Sequence, residues 1–181
     1  MRSDAEYEAM FTRLMRTLVT PPAAPARSPA PPTRIATTLK AKFRAQRILG
    51  TALDDVSKHL VVPNFPINED EGLFADFVIK NGAYHVTETA DLRAATATNL
   101  DRVRSASFIA IKLLKAKETF GPRTKRFVVY ASRKGVATQA VNLIGDFSDA
   151  IFHLESRQDM ASYMDRIMQA ASPTRSLSDR N

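Results

Sequence analysis

The run LFADFVIKNGAYHVTETADL, residues 73–92, contains two strand-like segments on either side of Asn81-Gly82. Both segments are rich in β-branched and aromatic residues, a composition typical of strands. Asn-Gly is a strong hairpin signal, because both residues tolerate the positive φ angles of a type I′ turn. We therefore predict an antiparallel hairpin with a type I′ turn at Asn81 and Gly82.

The segments around this hairpin predict further strands and helices. Upstream, residues 34–58 have a helical pattern that Gly50 breaks or bends, and residues 60–67 are extended. Pro63 and Pro66 place that extended segment at a sheet edge, since proline cannot donate to a central ladder. Downstream, the pattern predicts a helix over 94–118, a strand over 125–131, a helix over 136–147, a strand over 150–155 and a helix over 157–170.

The long helix over 94–118 has a broad apolar face. Its predicted core residues are Leu100, Val103, Ala106, Ala110, Leu113 and Leu114. Together these elements predict an α/β fold in which helices flank a mixed central sheet.

We also predict an amphipathic helix ahead of this domain. Residues 4–19 repeat apolar side chains at three- and four-residue spacing, and the candidate partner-binding residues on this stripe are Tyr7, Phe11, Leu14 and Leu18. Six of the ten prolines follow between Pro21 and Pro32, which predicts an extended linker. The expected organisation is a helix in 1–20, a linker in 21–33, the α/β domain in 34–171 and a flexible tail in 172–181. The helix would pack on the domain, on a second copy as a homodimer, or on another protein.

Composition excludes several classes of site. The chain has 181 residues, 44% of them hydrophobic, and no cysteine, so disulfides, thiol nucleophiles and cysteine-bound metals are excluded. Its three histidines lack metal-ligand spacing, and its six glycines form no phosphate-binding loop. No apolar segment is long enough to cross a membrane. We expect a cytoplasmic protein that does not bind membranes.

Positive charge is concentrated in one block of the chain. Residues 93–134 carry a net charge of +9, whereas residues 59–92 carry −5. Such a block is typical of a surface that binds nucleic acid, although a solvated basic surface is the alternative. The candidate phosphate contacts are Arg102, Arg104, Lys115, Arg123, Lys125, Arg126, Arg133 and Lys134.

The segments FADFV and HVTETAD, within an αβββαβ order of elements, resemble the core of the PD-(D/E)XK (restriction-endonuclease-like) nucleases. The resemblance covers roughly residues 35–132 and matches Asp76 and Glu88 to the two acids that bind a divalent metal in that family. Asp54 or Asp55, of which we favour Asp55, would supply a third acid. The family's lysine, two residues after the second acid, is replaced here by Ala90. The resemblance then implies that Lys112 or Arg93 supplies the catalytic cation.

Asp76 lies in an otherwise apolar run, where a carboxylate requires a metal, a cation or several donors beside it. The expected cofactor is Mg²⁺ or Mn²⁺, because hard divalent cations prefer oxygen ligands. The expected function is nucleic-acid binding, with phosphodiester hydrolysis if the site is active. The structural alternative is that Asp76 and Glu88 pair with Arg93 or Arg102. The functional alternative is a non-enzymatic, protein-binding inhibitor or antitoxin-like protein, by analogy with small basic proteins of phages and mobile elements.

Overall fold

A computed structural model describes residues 33–172 of the chain, except Ala95 and Lys134. Its helices and strands alternate in the order expected for an α/β protein. They are α1 (Arg34–Ala45), a 3-10 helix (Leu53–Lys58), β1 (Val62–Asn68), β2 (Leu73–Asn81), β3 (Ala83–Asp91), α2 (Asn99–Phe120), β4 (Lys125–Ala131), α3 (Thr138–Phe147), β5 (Ala150–His153) and α4 (Arg157–Ala171).

The five strands form one mixed sheet in the order β1-β2-β3-β4-β5. β1, β2 and β3 pair antiparallel, whereas β3, β4 and β5 pair parallel. β1 lies at the sheet edge, as Pro63 and Pro66 predict, and its pairing with β2 is irregular between Pro66 and Asn68. The predicted α/β class with a mixed, helix-flanked sheet is confirmed.

The hairpin is confirmed, but its turn is not type I′. Pairing continues to Asn81 and Ala83, which leaves Gly82 at the tip. Gly82 has a φ of 67°, and Asn81 does not adopt a positive φ. A type I′ turn needs two such residues, so this turn is tighter than the dipeptide predicts.

Two apolar cores lie on opposite faces of the sheet. One is formed with α2 and α3 and includes Val86, Leu113, Val128 and Ile144. The other is formed with α1 and α4 and is centred on fully buried Tyr163, which contacts Phe43 and Phe152. Alternation along β3 therefore sends successive side chains into different cores.

The predicted helical segment 34–58 is two helices. α1 ends at Ala45, before Arg47 with its φ of 58°, so the chain turns ahead of Gly50. The backbone then runs beside Val61 through an isolated bridge at Leu49, before the 3-10 helix begins. The first helix ends earlier than the predicted break at Gly50, because no sequence pattern indicates a positive φ at an arginine.

α2 begins later than predicted, and only part of its predicted core face is buried: Ala106, Ala110 and Leu113 are in the core. Thr98 caps its first turn by accepting from the Asp101 backbone N–H, so the helix starts at Asn99. Leu100 and Leu114, predicted in the core, are 57% and 41% exposed, whereas Leu113 is fully buried. The sheet packs mainly against small side chains of this helix, two of which, Ala106 and Ala110, were predicted in the core. Its buried residues are Arg102, Ala106, Ile109, Ala110, Lys112, Leu113 and Ala116.

Several predictions fall outside the described residues. They are the helix in 1–20 with Tyr7, Phe11, Leu14 and Leu18, the linker before Thr33, the tail after Ser172, and Lys134. In the part of the chain that is described, no helix combines the length and apolar character that crossing a membrane requires.

The orientation of α2, with Leu113 buried and Leu114 exposed, predicts that alanine substitutions at these two positions change stability unequally. Leu113→Ala removes fully buried methyl groups and should lower the free energy of unfolding by about 2–5 kcal/mol. Leu114→Ala, on the exposed side, should change it by no more than about 0.5 kcal/mol. Urea denaturation of the full chain measures both values. Equal losses would contradict this orientation of the helix.

Candidate active site

The sheet opens between β2 and β3 at one end of the hairpin. Their pairing runs from Asn81 and Ala83 to Phe77 and Thr87, where it stops. Beyond that pair, β2 continues against β1 while β3 continues against β4 as far as Asp91. Asp76 and Glu88 are the first residues beyond the last pair, so both candidate acids lie at the opening.

Asp76 closes part of this gap with its side chain. Its Oδ2 accepts hydrogen bonds from the Thr89 backbone N–H at 2.8 Å and from the Thr89 hydroxyl at 2.5 Å. Because the Thr89 proton points to Asp76, the Thr33 hydroxyl donates to Thr89 Oγ1 across 2.8 Å. Thr33 in turn accepts from the Ala36 N–H at the start of α1. This chain of hydrogen bonds fixes one oxygen of Asp76 and leaves Oδ1 facing Lys112.

Lys112 reaches both acids from α2. Its Nζ donates to Glu88 Oε2 and lies 3.8 Å from Asp76 Oδ1. The helix places this lysine on its buried face, with only a tenth of the side chain exposed. The Phe108 ring lies one helical turn earlier, with its centroid 5.9 Å from the ammonium. Of the two cations that the resemblance allows, the structure brings Lys112 to the acids.

Glu88 is the most deeply buried of the three charged groups. It is 1% exposed, and its Oε1 is a buried oxygen with no hydrogen-bond partner among the described residues. Burial raises the pKa of Glu88 from its ordinary 4.5 to about 8, and the charge of Asp76 adds to that rise. The Lys112 ammonium opposes the rise without cancelling it. The site therefore contains a carboxyl whose charge depends on a nearby cation.

Two of these three side chains, the carboxylates of Asp76 and Glu88, are suited to bind a divalent cation. Each carboxylate uses one oxygen within the protein, which leaves Asp76 Oδ1 and the unpartnered Glu88 Oε1 as candidate ligands. Hard cations prefer such oxygen donors, and a metal charge would favour the ionised form of Glu88. Within residues 33–94, 96–133 and 135–172, no three His, Cys, Asp or Glu side chains group closely enough to hold a metal ion. The protein would supply two carboxylates, and the rest of a coordination shell would come from water and substrate.

Asp55 does not join Asp76 and Glu88. Its Oδ2 accepts from the backbone N–H groups of Thr51 and Ala52, at 2.8 Å and 3.0 Å, and its Oδ1 pairs with Lys58. The Lys58 hydrogen bond lowers the pKa of Asp55, with help from the two backbone donors. Asp55 therefore stabilises the loop before the 3-10 helix, and the prediction that it completes the metal site is wrong.

The two arginines suggested as structural partners of Asp76 and Glu88 are engaged elsewhere. Arg93 pairs with Asp91 at 2.7 Å and with Glu155 at 3.4 Å. Arg102 is buried and donates to the carbonyl oxygens of Leu92 and Ala94. Arg102 is therefore no phosphate contact either, because its donors are used to hold the chain between β3 and α2.

The other predicted phosphate contacts divide into paired and unpaired groups. Lys115 lies near Glu71 and Glu118, Arg126 pairs with Asp149, and Arg104 lies 4.0 Å from Asp101. Among the described residues, no carboxylate lies within ion-pair distance of the predicted contacts Arg123, Lys125 and Arg133. The basic block is thus partly neutralised by neighbouring carboxylates.

A second basic feature was not predicted from the sequence. Arg34, Asp91, Arg93, Ala94 and Arg133 line a cleft of about 490 Å³. Asp91 lies on β3 three residues after Glu88, roughly 10 Å along the strand, and strand alternation directs its side chain to the opposite face of the sheet from Glu88. One signal could have found it: Arg93 and Arg133 each follow the carboxyl end of a strand, and neighbouring parallel strands bring those ends together.

Comparisons of the chain with known protein families, with curated proteins and with solved structures find no match.

The raised pKa of Glu88 predicts a specific pH dependence of stability. Between about pH 4.5 and 8 the unfolded chain ionises this carboxyl while the folded protein keeps the proton, so stability falls as the pH rises. The stabilisation is complete below pH 4.5 and is lost through pH 8, with a limiting slope of about 1.4 kcal/mol per pH unit.

Glu88→Gln keeps the shape of the side chain without the titration, so it is the matched control. Urea denaturation of both proteins from pH 5 to 9 should show the wild type losing stability relative to the variant. Parallel profiles would show that Glu88 titrates with an ordinary pKa.

Proposed function

We propose that this protein binds nucleic acid and hydrolyses phosphodiester bonds with a divalent cation at Asp76 and Glu88. The observation that carries the proposal is the convergence of Lys112 on both acids where β2 and β3 separate. The resemblance to the PD-(D/E)XK nucleases leads to the same two acids and leaves the cation to be supplied from outside the strand. A lysine from α2 supplies that charge.

Each residue has a distinct role in the proposed reaction. Asp76 Oδ1 and Glu88 Oε1 would hold Mg²⁺ or Mn²⁺, which polarises the phosphodiester and lowers the pKa of a bound water. Thr89 orients Asp76 by fixing its other oxygen. Lys112 keeps a positive charge beside both carboxylates and can donate to a phosphate oxygen that carries developing negative charge.

The arginine cleft offers a phosphate-binding surface at the carboxyl ends of β3 and β4, about 10 Å along β3 from Glu88. Arg34 and Arg133 are exposed, and neither has a carboxylate within ion-pair distance in the described part of the chain. Guanidinium groups bind phosphate through paired hydrogen bonds and do not read the base sequence.

A second candidate function, protein binding without catalysis, is favoured by one observation. Phe108, Ile111 and Leu114 are 53%, 49% and 41% exposed and lie at three-residue spacing on one side of α2. An exposed apolar stripe of this kind is common where a partner helix packs. In this case Asp76, Glu88 and Lys112 would contribute only to folding.

Cleavage assays separate the two functions. The full chain should cut a labelled DNA duplex or single strand in the presence of Mg²⁺ or Mn²⁺. Asp76→Asn, Glu88→Gln and Lys112→Met should each reduce the rate by at least about a hundredfold, since each removes a ligand or a charge at the reacting phosphate.

Lys117→Met is the matched control, because Lys117 is an exposed lysine on the same helix, and it should cleave as the wild type does. Mg²⁺ should also raise the melting temperature of the wild type at pH 7.5 more than that of Asp76→Asn. Absence of both cleavage and metal stabilisation would overturn the proposal in favour of protein binding.

The arginine cleft predicts a salt-dependent contribution to binding. Arg34→Gln with Arg133→Gln should weaken binding of DNA and reduce the slope of log K against log salt by about 2, because each arginine neutralises about one phosphate. Fluorescence anisotropy at several salt concentrations, without divalent metal, measures the slope. Lys117→Gln lies at the other end of α2 and should leave the slope unchanged. An unaltered slope in the double variant would exclude the cleft as a phosphate site.

A further inference from the structure

A second cavity lies on the face of the sheet that α1 and α4 cover, at the opposite end of β3 and β4 from the arginine cleft. It measures about 420 Å³ and lies between the start of these strands and the end of α4. Its lining residues are Asn81, His85, Lys125, Phe127, Asp149, Arg166, Gln169 and Ala170. Nothing in the proposed hydrolysis uses it.

The cationic groups of this cavity are held in place but not neutralised. The guanidinium carbon of Arg166 lies 6.0 Å and 5.9 Å from the ring centroids of Phe127 and Phe152. Such stacking orients the group and leaves its N–H donors available. Across the described residues, neither Arg166 nor Lys125 has a carboxylate within ion-pair distance. The Asp149 carboxylate is bound instead by Arg126, through its guanidinium at 3.1 Å and its backbone N–H at 2.7 Å.

His85 adds an unsatisfied polar group. Its Nδ1 is buried and has no hydrogen-bond partner among the described residues, while its ring packs at 5.9 Å from Phe127. Burial lowers the pKa of His85, and the nearby Lys125 charge lowers it further, so the imidazole is neutral at pH 7 and can donate one hydrogen bond. His85 is therefore a neutral hydrogen-bonding group in the wall of the cavity.

We propose that this cavity binds a small phosphate monoester, held by Lys125, Arg166 and His85. Two unpaired cations match the charge of a phosphate dianion, and its three terminal oxygens match three separate donors. The volume lies within the range of small-molecule sites and exceeds what a phosphate group fills, so the organic part of the ligand would occupy the remainder. The proposal does not depend on the proposed hydrolysis, because none of the three residues belongs to that site.

Titration calorimetry of the full chain with AMP, and separately with inorganic phosphate, tests this site at pH 7. AMP should bind, and Arg166→Gln and Lys125→Gln should each weaken its affinity at least tenfold, the usual effect of losing a charge-assisted hydrogen bond. Arg157→Gln is the matched control: it makes the same change on the same helix, at the end away from the cavity. The affinity of this variant for AMP should equal that of the wild type.

Proton NMR of the three histidine rings locates the ligand independently of affinity. AMP should shift the His85 ring signals, identified as those absent in His85→Gln, and leave His59 and His153 unshifted. Equal binding of inorganic phosphate would identify free phosphate as a sufficient ligand. Absence of binding by both compounds, equal weakening by Arg157→Gln, or shifts confined to the other histidines would overturn the proposal.

Discussion

The hydrogen bond from Lys112 to Glu88 is the interaction on which the candidate site depends. It joins α2 to the centre of the sheet, with Glu88 1% exposed and the lysine side chain 10% exposed. Burial resists the ionisation of Glu88 and removes the Lys112 charge from water, and a well-packed apolar pair would often be at least as stable. The surrounding core contains Val86, Leu113 and Val128, so apolar side chains would suit the same position. The pair is therefore better explained by chemistry than by stability.

The separation of β2 from β3 makes that pair possible. If the hairpin continued beyond Phe77 and Thr87, backbone hydrogen bonds would close the space between the two acids. Asp76 instead satisfies the Thr89 N–H that a continued ladder would have paired, so the opening has little unsatisfied backbone. The same threonine connects to the start of α1 through Thr33. Helices on both faces of the sheet therefore position the acid site. α2 does so through Lys112, and α1 does so through Thr33 at its start.

Local patterns were sufficient for the elements that depend on neighbouring residues. The Asn-Gly dipeptide placed the hairpin, two prolines placed β1 at the edge, and alternation along β3 assigned Glu88 and Thr89 to opposite faces. An acid within the apolar run FADFV required donors beside it, and the structure has them. Each of these inferences rests on spacing of one to four residues, where the backbone geometry is known in advance.

Features that depend on packing could not be derived in this way. The prediction named Lys112 as the missing cation and kept Arg93 as an alternative, because only the orientation of α2 decides between them, and Leu114 was wrongly assigned to the core. Asp55 has an acidic neighbour and a suitable place in the chain, but its loop uses both of its oxygens. The arginine cleft joins residues from three separate segments. Sequence spacing alone does not show which distant residues lie together before the sheet topology is known.

The two proposed anion sites, the arginine cleft and the His85 cavity, lie at opposite ends of the parallel strands and differ in how open they are to a ligand. The arginine cleft lies past the carboxyl ends of the parallel strands β3 and β4, where side chains from loops can move toward an extended substrate. The His85 cavity lies near the amino ends of the same strands, bordered by the hairpin and by α4. Asn81 already bonds to the Ser172 carbonyl across this border, at 2.8 Å, which limits its opening. The border between the hairpin and α4 favours a compact ligand in the cavity over a polymer.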